Sequence, residues 1–310
     1  MTGWRTRSCV LGALGAVALL SSCSTGAGDH ARADSSPAIV ATVSPTTSTI
    51  AATLPPTTLP STTTSTSTTT LPTTTTTVAP PPTIPPPPSN VVPAPWSGEP
   101  FPVVGSRSGD GTAVVQARLL ELGFWLSGVD GKYGLTTKQA VMAFQKYTGL
   151  EASGKVDDAT AQMLATIGER AHGFTNTGTV VEINKLTQLL FIVVDGQTQW
   201  TFNTSTGDGE PYIEEDQNSP GEQITGVSLT PDGLYKVHRE RPEGWWEGDL
   251  GEIYRPKYFI GGVAVHGSNS VPNHPASHGC VRVTVPAMDF IWDSGLVPLG
   301  TTVWVHEGVV

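Results

Sequence analysis

Cysteine is scarce in this chain: three residues in 310, at Cys9, Cys23 and Cys280. The first two fall within or at the end of an N-terminal targeting segment, so one thiol is left and no intramolecular disulfide can close around it. Positive charge is scarce as well. Seventeen Lys and Arg stand against 27 Asp and Glu, a net charge of −10, which argues against a nucleic-acid or anionic-membrane partner, since either needs a basic patch. The apolar run at 10–20 follows Arg5 and Arg7 as in a signal peptide, and it is too short for a spanning helix of roughly 20 residues. The His-Glu-x-x-His element of zinc peptidases is missing, which argues against reading His266, His274, His278 and Cys280 as a metal site. Finally, charge almost vanishes between 34 and 95, where Thr, Pro, Ser and Ala dominate. Such a segment cannot bury a core and is expected to be a disordered tether, assigned here to 24–102.

What is present begins with a small helical unit at 103–168. Val115, Leu119 and Leu122 recur at helical spacing after Gly111-Thr112, and Gly123 suits the residue after a helix end. A second helix, capped by Thr136 or Thr137, places Val141, Phe144 and Met142 or Tyr147 inward and stops at Gly149. A third, led by Asp157 or Asp158, carries Met163 and Leu164. From 179 onward the pattern turns to strands: 189–194 and 199–204 flank Asp195-Gly196, the composition of a type I′ hairpin. Further strands are expected at 234–238, 258–260, 263–265, 281–285 and 301–306, with one helix at 286–293 that carries Pro early and Gly295 beyond its end.

The chemistry concentrates in 266–282, which reads His-Gly-Ser-Asn-Ser-Val-Pro-Asn-His-Pro-Ala-Ser-His-Gly-Cys-Val-Arg. A thiol attacks as its thiolate, and imidazole is the group best suited to draw off the proton near neutral pH. Residues two apart on a strand share a face. His278, Cys280 and Arg282 are therefore expected along one groove, with Val281, Val283 and Val285 turned inward. Gly279 leaves room for a carbonyl to reach the backbone amides, as an oxyanion hole needs.

His266-Gly267 followed by Ser277-His278-Gly279-Cys280-Val281-Arg282, with Cys280 fourteen residues after His266, resembles the signature of the L,D-transpeptidases with a YkuD-like catalytic domain. Thr230-Pro231-Asp232-Gly233 resembles the same family's Thr-Pro-x-Gly turn. The resemblance implies a mainly β catalytic domain at 179–306, a β-sandwich with a short helix. It further implies Cys280 as nucleophile, His266 as proton acceptor and donor, His278 and Gly279 as oxyanion support, and Arg282, Tyr258 and Gly262 as substrate contacts. Neither cofactor nor metal is implied. The glycine and capping pattern of 103–168 resembles a three-helix peptidoglycan-binding domain. Leu20-Ser21-Ser22-Cys23 resembles a bacterial lipobox, which implies a signal at 1–23, a lipid on Cys23 and an anchor at the outer face of a cell membrane.

Together these resemblances imply an exported enzyme whose partners are peptidoglycan stem peptides and glycan, which forms 3→3 cross-links and which carbapenems acylate. Hydrolysis of the same acyl-enzyme, attachment of a protein amine to the wall, and binding without catalysis are the alternatives. Two segments depart from the compact family pattern. The acidic insertion at 207–230, with Glu210, Glu214, Glu215 and Asp216, is expected to be a solvated loop. Trp245-Trp246 suits sugar stacking, a lid, or packing alone.

Overall fold

A computed structural model describes residues 89–308. The expected signal, Cys23 and the linker as far as 88 lie outside the described residues. The tether expected over 24–102 does not extend that far, because 89–102 pack against the small domain: Ala94 and Phe101 are buried in its core, and the Ala94 amide donates to Gly168 O at 2.8 Å.

Three helices make the small domain, α1 (Asp110–Glu121), α2 (Leu135–Tyr147) and α3 (Asp158–Thr166). Gly123 and Gly149, at φ 86° and 72°, take the left-handed conformation that lets the chain leave α1 and α2. Asp157 caps α3 by accepting the Thr160 amide at 2.8 Å. Two local expectations shift. Gly111-Thr112 lies inside the first turn of α1, and α2 begins after Gly134 with no side-chain cap. Thr137 is instead buried, where its hydroxyl accepts from Gln116 Nε2 at 2.9 Å. The same buried amide donates to Asp130 Oδ1 and Lys132 O, and it accepts the Asp130 and Gly131 amides. With two N–H donors shared among three acceptors and an oxygen that accepts two amides, this one side chain ties α1 to the α1–α2 loop and to Thr137 of α2.

The larger domain is a sandwich of two sheets. One sheet holds β1 (Val180–Asn184), β2 (Leu189–Val194), β3 (Gln197–Asn203), β6 (Gly233–Lys236) and β12 (Thr302–His306), in the order β3-β2-β1-β12-β6. The β2–β3 turn has Asp195 at φ 50° and Gly196 at φ 78°, the double positive φ that a type I′ turn demands. The other sheet holds β7 (Arg239–Glu240), β8 (Trp245–Gly248), β9 (Gly251–Ile260), β10 (Val263–Ser268) and β11 (Val281–Thr284), in the order β11-β10-β9-β7 with β8 also on β9. Helix α4 (Val285–Asp293) starts at Thr284, whose hydroxyl accepts the Ala287 amide. Val181, Ile183, Leu190, Ile192, Val281, Val283 and Met288 meet between these layers as one core.

The two domains share hydrophobic surface. Leu189, Phe191 and Val193 point away from the sandwich and join Phe124, Phe144 and Leu119 in the small domain's core. Hence the unbroken apolar run of β2: both of its faces are covered, so alternation gives way. Trp125 crosses in the other direction and stacks on Phe202 and Phe290, at centroid distances of 5.6 and 5.3 Å. Backbone bonds complete the seam, from Trp125 N to Thr201 O at 3.0 Å and from Thr201 N to Gly123 O at 2.8 Å.

The acidic insertion is not a loop. It folds as a hairpin of β4 (Pro211–Glu215) and β5 (Gln223–Val227), paired from Pro211↔Val227 to Glu215↔Gln223. Acidic side chains disfavour burial but not pairing. The ladder satisfies the backbone while the carboxylates stay in water. Trp245 and Trp246 lie half exposed on β8, the first against Tyr254 at 5.2 Å and the second beneath Arg241 at 3.5 Å.

Candidate active site

Strands β10 and β11 run parallel with Val265 beside Val281 and His266 beside Arg282. Because Val265, Val281 and Val283 enter the core, the alternate positions His266, Cys280 and Arg282 share the opposite face. That face forms one wall of a cavity of about 330 Å³, which Gly262, Ser277, His278 and Gly279 also line. Its far side comes from Tyr212 on β4 and from residues 248–253, the turn between β8 and β9.

His266 is buried, and its Nδ1 lies 2.9 Å from Gly267 O. Burial, reinforced by the Arg282 charge, pushes its pKa down to about 4. The ring is therefore neutral at neutral pH. With Nδ1–H donated to the carbonyl, the lone pair is left on Nε2. Burial likewise pushes the Cys280 thiol up, against the opposing pull of the Ala264 backbone and Arg282. The thiol donates to Gly262 O at 3.7 Å. Burial thus disfavours the charged form of both the thiol and the imidazole, because removing either charge from water costs more than the neighbouring groups return.

Other positions deviate in instructive ways. Gly279 has φ 135°, and a Cβ there would stand 2.6 Å from Leu229 O. The glycine is needed so that the 229–230 segment can press against the motif. Its amide is already donated to Ser277 Oγ at 3.1 Å, and its carbonyl accepts from Thr230 Oγ1 at 2.6 Å. An oxyanion role for the Gly279 amide would require that bond to Ser277 to be released. His278 faces the insertion, with Nε2 2.8 Å from Glu214 Oε1 and its ring edge-on to Tyr212 at 4.8 Å. Tyr258 does not line the cavity. It is buried under the Arg239 guanidinium, 3.8 Å from its ring centre, although its register opposite Ala264 on β10 puts it on the same sheet face as Cys280. Arg282 is half-buried and makes no salt bridge among the described residues, whereas the carboxylates that could have claimed it, Asp289 and Asp293, lie 2.6 and 3.9 Å from Arg255.

Sequence reasoning missed Tyr212 and Glu214. Their spacing of two within the acidic run puts both on one strand face, and that was the signal available.

A buried histidine and a thiol thus meet on one face of two neighbouring parallel strands, beside a cavity that also holds a guanidinium with no salt bridge among the described residues. Residues 178–305 match the family described as the L,D-transpeptidase catalytic domain, and residues 108–164 match the putative peptidoglycan binding domain. The crystal structure of an L,D-transpeptidase (residues 123–326) from Xylanimonas cellulosilytica DSM 15894 is 41% identical, with 68% of this chain and 99% of that chain covered and a TM-score of 0.60. A second L,D-transpeptidase structure, from Stackebrandtia nassauensis, is 20% identical over 69% of this chain and 97% of that one, with a TM-score of 0.37. Among curated proteins, the N-acetylmuramoyl-L-alanine amidase CwlM of Mycobacterium tuberculosis is 42% identical over 65 residues, 21% of this chain and only 16% of that relative's length. The chain belongs to the L,D-transpeptidase family and joins that family's catalytic domain to a peptidoglycan-binding domain.

Proposed function

We propose that the enzyme forms 3→3 cross-links in peptidoglycan through an acyl-enzyme on Cys280. His266 Nε2 takes the thiol proton as the sulfur bonds to the carbonyl carbon of the third stem residue. The tetrahedral intermediate expels D-Ala, whose amine leaves with the proton that the imidazolium returns. The side-chain amine of a second stem then attacks the thioester and gives its proton to His266, and the thiol is restored. Arg282, unpaired on the cavity wall, suits the carboxylate of the donor stem as a planar two-pronged donor.

The observation that carries this reading is that Cys280, His266 and Arg282 line one cavity on the sheet face opposite the core. The segment from 24 to about 88 tethers the enzyme to a lipid on Cys23 at the outer face of the cell membrane. This part rests on the lipobox-like Leu20-Ser21-Ser22-Cys23. The test is to incubate the enzyme, and its Cys280→Ala variant, with purified disaccharide-tetrapeptide and weigh the products. A dimer lacking one D-Ala, made only by the unsubstituted enzyme, supports the proposal. A tripeptide alone means that water is the acceptor, and a product from the variant removes Cys280 from the mechanism.

A further inference from the structure

The loop that leads from His266 to Cys280 is held from outside the catalytic sandwich. Gln139, half-buried on α2 of the small domain, donates from Nε2 to Val271 O at 2.9 Å. Its own Oε1 accepts from Asn203 Nδ2 at 2.6 Å, and that nitrogen also lies 3.4 Å from Val271 O and 3.3 Å from Pro272 O. Two amides from two domains therefore grip one buried turn of the loop. A second tether runs the other way, from Asn273 Nδ2 to Ala152 O, at 2.9 Å, between α2 and α3.

The continuation of β3 carries the grip on to the motif. Ser205 Oγ donates to His274 O at 2.8 Å, and the Ala276 and Ser277 amides donate to Thr206 O at 2.9 and 3.0 Å. Three residues further on is Cys280. Thr204 Oγ1 donates to Arg282 O at 2.7 Å, and Thr204 O is in turn held by Lys146 Nζ at 3.3 Å. Lys146 and Gln139 are seven residues apart on α2, two turns along one face. One helix of the small domain thus meets both the loop that precedes the thiol and the strand end that supports Arg282.

From this geometry we propose that Gln139 is a positioning residue for transpeptidation. Through Val271 it fixes the path of 269–279, and so the placement of Cys280 against His266. The peptidoglycan-binding domain is on this account part of the catalytic apparatus as well as a wall anchor. The loop has backbone pairing only at its end, where Ala276 and Ser277 meet Thr206, and a displacement of about 1 Å at a nucleophile costs on the order of a hundredfold in rate. The Val271 carbonyl is therefore a place where one hydrogen bond matters to chemistry more than to folding.

The test is Gln139→Glu in the whole chain. This change preserves volume and the acceptor for Asn203 but removes the donor to Val271 O and turns an anionic oxygen toward it. With soluble disaccharide-tetrapeptide, kcat should fall roughly tenfold while KM stays within about twofold and sedimentation with insoluble sacculi is unchanged. Hydrogen exchange in 270–277 should quicken, and alkylation of Cys280 at fixed pH should change in rate. Asn273→Ala, at an exposed position the fold tolerates, should lower kcat by a smaller factor in the same direction. Unchanged kcat in both variants overturns the proposal, and so does a kcat loss no larger than the loss of folded protein. The inference rests on Cys280 as nucleophile. Cys280→Ala is the parallel control: an active Cys280→Ala variant would sink that reading, whereas an inactive one beside a fully active Gln139→Glu variant would sink the positioning role alone.

Discussion

Lys146 sits at the seam between the domains with two backbone carbonyls as its acceptors, Gln188 O at 3.2 Å and Thr204 O at 3.3 Å. No carboxylate forms an ion pair with it among the described residues. Burial pushes its pKa down from 10.5 to about 7. The sign of the linkage follows directly. Between pH 10.5 and 7 the unfolded chain takes up a proton that the folded chain refuses, so stability falls as pH falls through that window and levels off below it. At about 1.4 kcal/mol per tenfold change in proton affinity, the whole window is worth roughly 5 kcal/mol, and the part between pH 9.5 and 7 roughly 3 kcal/mol. Lys146→Met keeps the length and the apolar stem but removes the titration. Its melting temperature, less that of the unsubstituted protein, should therefore be higher at pH 7 than at pH 9.5 by about 6–12 °C, taking 2–4 °C per kcal/mol for a folded region of this size. Circular dichroism melts of both proteins at the two pH values supply the number. Other titrating groups cancel in the double difference. A difference that does not change with pH would refute the reasoning and mean that the ammonium reaches solvent by a small rotation.

The remaining predictions concern the thiol and the domain seam. Because burial raises the Cys280 pKa, alkylation of the native protein should have its midpoint above the roughly 8.5 of a free thiol. An unfolded sample should return to that ordinary value, while a native midpoint well below it would mean a resting thiolate. Deleting 103–168 should give insoluble or unfolded protein rather than an active enzyme without wall affinity. It would uncover Leu189, Phe191 and Val193 and withdraw Trp125, whose burial on the order of 200 Å² is worth about 5 kcal/mol. A soluble truncated chain with normal turnover of a soluble muropeptide would contradict the shared core.

Much of the architecture was legible because it rests on local rules. The glycines that end α1 and α2, the Asp157 cap and the Asp195-Gly196 turn each answer a backbone requirement that few residues meet. The alternation around Cys280 was equally readable, since a period of two needs no partner to be seen: Val281 and Val283 are buried and Cys280 and Arg282 line the cavity. Long-range pairing was not readable. The acidic run gave no apolar alternation, so its hairpin was hidden, and with it the contacts of Tyr212 and Glu214 with His278. The packed role of 89–102 was hidden too, because two buried residues among prolines look like the linker that precedes them.

The sequence by itself determined the two-part domain order, the sandwich strands and the convergence of His266, Cys280 and Arg282, all of which depend on spacing within short stretches. Only the tertiary structure decided that β2 is buried on both faces and that the acidic insertion pairs as a hairpin. It also decided that burial works against charge on the thiol and the imidazole and that Gln139 of one domain grips the 269–279 loop of the other. Burial and desolvation belong to the whole assembly of surfaces around a group. No window of residues records what will be packed against it from more than a hundred positions away.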